Sequence, residues 1–209
     1  MPLTEWYLNV TQLPVFDANT LSYINGLKPH QASHWDLQTN AMKLYKASLL
    51  EQLSHIQQNR CAYCGLSLER NLVDREHFVH KEQNGGWPEF MFVTENLFAA
   101  CAFCNRAIKG TAAVITNYNA DYLACKFNLI HPYIDTPPQH LAFIVNSYGE
   151  AILAQSLTQL GHDTMLFFDL HSSTMTCRRA AYLLELKRKE QLSTTDYAEL
   201  KSVSHFKPD

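Results

Sequence analysis

The 209-residue sequence lacks any apolar run near the ~20 residues that a membrane helix needs. Its start, Met1-Pro2-Leu3-Thr4-Glu5, shows neither a basic nor an apolar leader segment. The expectation is a soluble, cytoplasmic chain with no membrane partner. Charge is also scarce, at 18% of residues, and no positive excess exists: 17 Lys+Arg face 20 Asp+Glu, for a formal net charge of −3. No global positive field is therefore available to hold a polyanion, so contact with nucleic acid must be local or shared with a partner. Repeats, low-complexity tracts and linkers are absent, which leaves one domain over 1–209 as the simplest count. What is present is ordinary globular usage, 46% hydrophobic and 11% aromatic, which excludes disordered, collagen-like and coiled-coil classes. A chain this long buries roughly 70% of its unfolded surface and needs no external staple.

Without a secretion signal, the six cysteines do not read as a disulfide framework. Four of them form two C-x-x-C pairs, Cys61/Cys64 and Cys101/Cys104, while Cys125 and Cys177 stand alone. Two such thiolate knuckles complete the closed tetrahedral site of structural zinc. A redox C-x-x-C has no need of a second pair, and chance core cysteines rarely repeat the spacing. The intervening residues 65–100 exceed the roughly 15 to 20 of small zinc ribbons, so something is inserted between the knuckles.

The flanks are simpler. Residues 1–36 carry Pro2, Pro14 and Pro29 without a sustained period and read as irregular or short-helical wrapping, or else as a docking segment. Met42, Tyr45, Leu49, Leu53 and Ile56 recur at helical intervals, so 40–58 is expected to be an amphipathic helix that closes an N-terminal segment 1–60. Beyond the core 61–110, a C-terminal part 128–209 is expected to hold a hairpin of 141–145 with 151–154 around the turn Ser147-Tyr148-Gly149. After it comes a helix capped by Ser172/Ser173, with Cys177, Ala180, Ala181 and Leu184 along one face. A last short helix is marked by Asp196 and Glu199. The basic run Arg178/Arg179 and Lys187-Arg188-Lys189 reads by default as a solvated face, with a phosphate track or a patch for an acidic partner as alternatives. The fold class is α+β.

Between the knuckles lie two short expected strands, 72–77 and 96–100, flanking a loop with the turn Asn84-Gly85-Gly86. A helix over 102–109 follows and stops at Gly110. Glu76-His77 on the first strand, Asn96 at the start of the second and Asn105 on the helix resemble the constellation of the HNH, or ββα-metal, nucleases of the four-cysteine type. The resemblance implies that His77 is the general base, that Glu76 and Asn105 hold a catalytic Mg2+ or Mn2+, and that Asn96 fastens the loop so that His77 keeps its aim. In an ideal strand Glu76 and His77 point to opposite faces, so both serve one site only at a strand end or a bulge, and one of these is expected there. Singly, each of these residues has a bland alternative: a solvated Glu-His dipeptide, a turn asparagine, an exposed helix face. Lys109 reaches a phosphate or is simply solvated near the helix C-terminus. His80 stands where related nucleases more often show proline, and its readings are substrate contact, approach to the metal, or no role. Trp87 stacks on a base or, more simply, anchors the loop.

Further stretches carry the likeness on. These are Leu49-Leu50-Glu51-Gln52, Arg60 to Cys64, Glu76-His77-Phe78, Cys104 to Gly110, His131-Pro132-Tyr133-Ile134-Asp135 and His140-Leu141-Ala142-Phe143, with weaker agreement from Asp163 to Arg179. They resemble the retron-associated and Septu-type HNH effectors of bacterial anti-phage defence. That resemblance implies a DNA-cutting nuclease working beside an ABC or SMC-like ATPase. The core fits a shared role: Arg70, Arg75, Lys81, Arg106 and Lys109 are outnumbered by Glu69, Asp74, Glu76, Glu82, Glu89 and Glu95, so weak DNA binding alone is expected. A stand-alone restriction-type nuclease, a nuclease that cuts transfer RNA, and a catalytically silent zinc-bearing adaptor are the alternatives.

Overall fold

A computed structural model describes residues 5–69, 72–82, 84–145, 150–191 and 195. The helices begin where short polar side chains cap them. Asp17 accepts the Thr20 amide at the start of α1 (Ala18–Gly26), and Thr39 accepts that of Met42 at the start of α2 (Asn40–Ile56). Met42, Tyr45, Leu49 and Leu53 of α2 are buried, as their spacing requires, and that face packs on the strand pair that follows.

That pair is β1 (Val73–His77) and β2 (Leu97–Cys101), antiparallel from Val73↔Cys101 to His77↔Leu97. All of β2 is buried. The register is regular throughout, without a bulge; of the two forms expected at Glu76-His77 it is the strand end that is present, since His77 is the last residue of β1. Among the described residues two more antiparallel pairs complete the strands, β3 (Ile115–Asn117) with β4 (Lys126–Phe127), and β5 (Leu141–Val145) with β6 (Ala151–Ser156). The turn 147–149 and the short helix expected at 196–199 lie outside the described residues. Helix α3 (Gln159–Phe167), capped by Thr158, packs on β6. The result is a mixed α+β fold of small sheets and helices around a core that runs from Tyr7 to Met175. Among the described residues no helix is long and apolar enough to cross a membrane.

Helix α4 (Ser173–Gln191) corrects the expected face. Ser172 Oγ accepts the Met175 amide at 3.2 Å, so the cap is as expected. Yet Met175, Arg179 and Leu183 are buried, Ala180 is half-buried, and Cys177, Ala181 and Leu184 face outward. Arg179 leaves the expected basic face because its guanidinium finds carbonyl acceptors inside, Ile152 O at 2.8 Å and Leu170 O at 2.6 Å. It also lies over the rings of Trp6 and Phe143. Lys187 is held by Glu150 at 2.7 Å.

The N-terminal segment wraps the core. Trp6 Nε1 donates to Ala151 O at 2.8 Å, Tyr7 Oη to Ile130 O at 2.6 Å, and the amides of Leu8 and Val10 to Ala62 and Pro132. It passes so close to the first knuckle that a Cβ on Gly65, whose φ is +67°, would lie 2.0 Å from Trp6 O. Only glycine satisfies both the left-handed turn and this approach.

Candidate functional site

The two knuckles meet as the spacing demands. Sγ atoms of Cys61, Cys64, Cys101 and Cys104 all lie within 4.8 Å of one another, buried. None is in a disulfide, and Cys64 and Cys101 are 4.0 Å apart. A tetrahedral ion with Zn–S near 2.3 Å sets sulfurs ~3.8 Å apart, so closing the cluster takes shifts below ~1 Å. Amide donors support the set: Cys101 N points to Cys61 Sγ at 3.4 Å and Cys104 N to Cys101 Sγ at 3.5 Å. Hydrogen bonds from the neighbouring thiols push Cys101 strongly down from the usual thiol range, while Cys64 and Cys104 are driven up. Such a set sheds its protons together when a cation enters. The cluster can thus hold a metal ion such as zinc.

Cys101 ends β2 and Cys104 lies in the helix that follows, Phe103–Lys109, which is a π-helix rather than the expected α-helix. Its i→i+5 bond runs from Gly110 N to Asn105 O at 2.6 Å, and Gly110 closes it at φ +48°. Such wide turns are rare and recur at functional sites. The helix brings Lys109 beneath the end of β1, where its ammonium lies 2.7 Å from Glu76 Oε1 and donates to His77 O at 2.9 Å. Tyr63 Oη, from the first knuckle, donates to the same Glu76 oxygen at 3.0 Å. Burial raises Glu76 above the usual carboxylate range, against the pull of Lys109. Lys109 is therefore neither solvated nor free to reach a phosphate; it is a buried counter-ion.

Asn105 is half-buried and donates from Nδ2 to Asp74 Oδ2 at 3.1 Å. Arg106 Nε donates to the same oxygen at 2.8 Å and Nη2 to Oδ1. The resemblance pairs Glu76 with Asn105 on one divalent ion, but Glu76 is engaged by Lys109 and Tyr63, and Asn105 by Asp74. As placed, the two do not form a Mg2+ or Mn2+ seat: an ammonium already neutralises the carboxylate.

His77 points across β1 from Glu76. Its ring lies edge-on to Trp35 at 4.4 Å, and Nε2 sits 3.2 Å from Met91 O. A carbonyl only accepts, so Nε2 carries the proton and Nδ1 keeps the lone pair. The side chain is 7% exposed, and burial, aided by Lys81 and Lys109, lowers its pKa to about 3. The imidazole is neutral across the physiological range.

Asn96 is fully buried and uses every side-chain hydrogen-bonding valence, three of the four on the loop after β1. Oδ1 accepts the Val79 amide at 2.7 Å and the Tyr122 hydroxyl at 2.9 Å, and Nδ2 donates to Val79 O at 3.1 Å and Phe90 O at 3.0 Å. The loop-fastening geometry expected of it is present. His80, also buried, leaves Nδ1 without a hydrogen-bond partner, and its ring is edge-on to the half-buried Trp87 at 6.0 Å. Trp87 donates its amide to His80 O at 2.9 Å, which is the loop-anchor reading of that tryptophan.

Sequence reasoning missed Tyr63 and Tyr122 as polar partners, Asp74 as the partner of Asn105, and Trp35 as the cover of His77. Of these, only Tyr63 stood in a motif, inside the first knuckle. Comparison of the chain with protein-family models, with curated proteins and with solved structures gives no match.

Proposed function

We propose that the chain is an HNH-type endonuclease hydrolysing phosphodiester bonds of DNA, with a zinc ion in the four-cysteine cluster as its structural clamp. The observation that carries the reading is His77: a neutral imidazole at the end of β1, held by a backbone carbonyl through Nε2 so that Nδ1 is the proton acceptor. Nδ1 takes a proton from water, the hydroxide attacks phosphorus in line, and the 3′ oxygen leaves and is protonated by solvent. With a pKa lowered to about 3 the imidazole is a weak base, so the step requires that pKa to rise when the phosphate anion lies beside it. Asn96 holds the loop that leads away from this base. Zinc, bound by Cys61, Cys64, Cys101 and Cys104, ties β2 and the π-helix to the first knuckle and so sets where Glu76 and Lys109 meet. Mg2+ or Mn2+ belongs to this reading through the resemblance alone, and no step here passes through it. So does an ABC or SMC-like ATPase as the partner, which suits a core without a surplus of positive charge.

A second reading, a zinc-bearing adaptor that does not cut, draws on the same residues. His77 is only 7% exposed and Glu76 is neutralised by Lys109, both economical ways to build a scaffold. Nicking of supercoiled plasmid separates the two. The nuclease reading expects cutting with Mg2+ or Mn2+, with or without a candidate ATPase of that class, and its loss in His77→Ala at unchanged zinc content. Intact plasmid under all these conditions, or equal cutting by His77→Ala, overturns it. Transfer RNA as a parallel substrate shows which nucleic acid is cut.

A further inference from the structure

The tie on the loop after His77 does not end at Asn96. Tyr122 Oη donates to Asn96 Oδ1 at 2.9 Å and lies 2.8 Å from His131 Nε2. His131 Nδ1 accepts two amides, Tyr133 N and Ile134 N, each at 3.1 Å. With Nδ1 an acceptor, the proton of the neutral ring is on Nε2, and it is given to the tyrosine oxygen. Every hydrogen in the chain thus has one direction, from His131 to Tyr122 to Asn96. Burial holds the ring neutral, with a pKa lowered to about 3.

We propose that Tyr122 and His131 are positioning residues, which act through Asn96 on the backbone of Val79 and so aim His77. Three observations carry this. Asn96 grips both the amide and the carbonyl of Val79, two residues after His77. The His131 ring lies 4.4 Å from that of Phe78, the residue between them, which also touches Phe127 at 5.3 Å. Asn96, His131 and Phe78 are wholly buried and Tyr122 nearly so, where a fully satisfied polar network has one low-energy arrangement and a broken one is costly. The anchor of the network is rigid in its turn: His131 N donates to Asp135 Oδ2 at 2.7 Å, and Asp135 N returns to His131 O at 3.1 Å. His131 thereby lends the stiffness of the 131–135 turn to a loop separated from it by the whole of β2, β3 and β4. The aiming role rests on the nuclease reading; the mechanical coupling does not.

Tyr122→Phe is the test, because it keeps the ring among Phe90, Phe127 and His131 and removes only the hydroxyl. In the zinc-loaded full chain, amide exchange at Val79 is expected to rise at least tenfold and the His77 ring-nitrogen resonances to shift. Where the wild type cuts plasmid, kcat is expected to fall about 100-fold, the penalty of a misplaced base, with KM within about twofold. His131→Gln, which keeps a donor near the Nε2 position, is expected to retain more Val79 protection than His131→Ala. Unchanged Val79 exchange and unchanged His77 resonances in Tyr122→Phe overturn the coupling, whatever the activity. Altered exchange with unchanged kcat overturns the aiming role. A wild type that cuts nothing overturns the nuclease reading and the aiming role with it, and leaves the coupling to be decided by exchange.

Discussion

Replacing Lys109 by methionine removes the ammonium and keeps most of the stem that packs beneath β1. Glu76 is then a buried carboxylate whose only remaining donor among the described residues is Tyr63. Breaking a buried ion pair from one side typically costs about 3–5 kcal/mol, because the surviving charge has lost its compensation. Glu76 can escape part of that cost by taking up a proton. Burial already raises its pKa, and without Lys109 the pKa rises further. A group whose folded pKa is raised is stabilising below its unfolded value and loses that stability as pH climbs through the folded one. Lys109→Met is therefore expected to lie closest to wild type near pH 5 and furthest below it near pH 8, by about 3 kcal/mol or more. Adding Glu76→Gln removes the orphaned charge, and the double variant is expected to recover at least half of the loss. The assay is urea unfolding of zinc-loaded protein across that pH range, with the slope m checked for constancy. A Lys109→Met cost below about 1 kcal/mol, or a cost independent of pH, would refute the assignment of Lys109 as the counter-ion of Glu76.

Gly65→Ala is expected to destabilise by about 2–4 kcal/mol, since the new methyl meets Trp6 O at 2.0 Å in a left-handed turn; thermal unfolding measures it, and a loss under 0.5 kcal/mol would contradict the wrapped N-terminal segment. Acid is expected to weaken the fold through His131, whose pKa is lowered to about 3. Its stabilisation is complete above the ordinary value near 6.5 and is lost as pH falls toward about 3. Between pH 5 and 4 the wild type is expected to lose stability more steeply than His131→Gln by about 1.4 kcal/mol per pH unit. Parallel denaturation slopes would sink that assignment.

What the sequence made legible was periodic or paired. The α2 stripe, the two cysteine knuckles, and the strands around Glu76 and Leu97 follow from spacing alone, because each is set by neighbours a few residues away. The hairpin of β5 and β6 was legible for the same reason, as two apolar runs around a turn signal. What escaped depends on partners far along the chain. Arg179 counts as polar in any periodicity, yet carbonyls of β6 and of residue 170 draw it inside and turn α4 over. Lys109 reads as a solvated residue at a helix end until the π-turn and Glu76 are both in place. Trp35, on a short 3-10 turn of the N-terminal segment, covers His77, and no spacing rule connects residues so far apart. The absence of a bulge before the strand end has a simple cause as well. Glu76 serves the π-helix side and His77 the Trp35 side, so a regular pleat places both.

Everything near the strand end hangs from the four sulfurs, and zinc K-edge absorption of the purified chain measures them directly. One zinc per chain with four sulfur neighbours at about 2.3 Å, and no nitrogen or oxygen in the shell, is the result expected of a clamp made by Cys61, Cys64, Cys101 and Cys104. A shell containing light atoms, or a metal-free chain with these cysteines oxidised to disulfides, would contradict the account at its foundation.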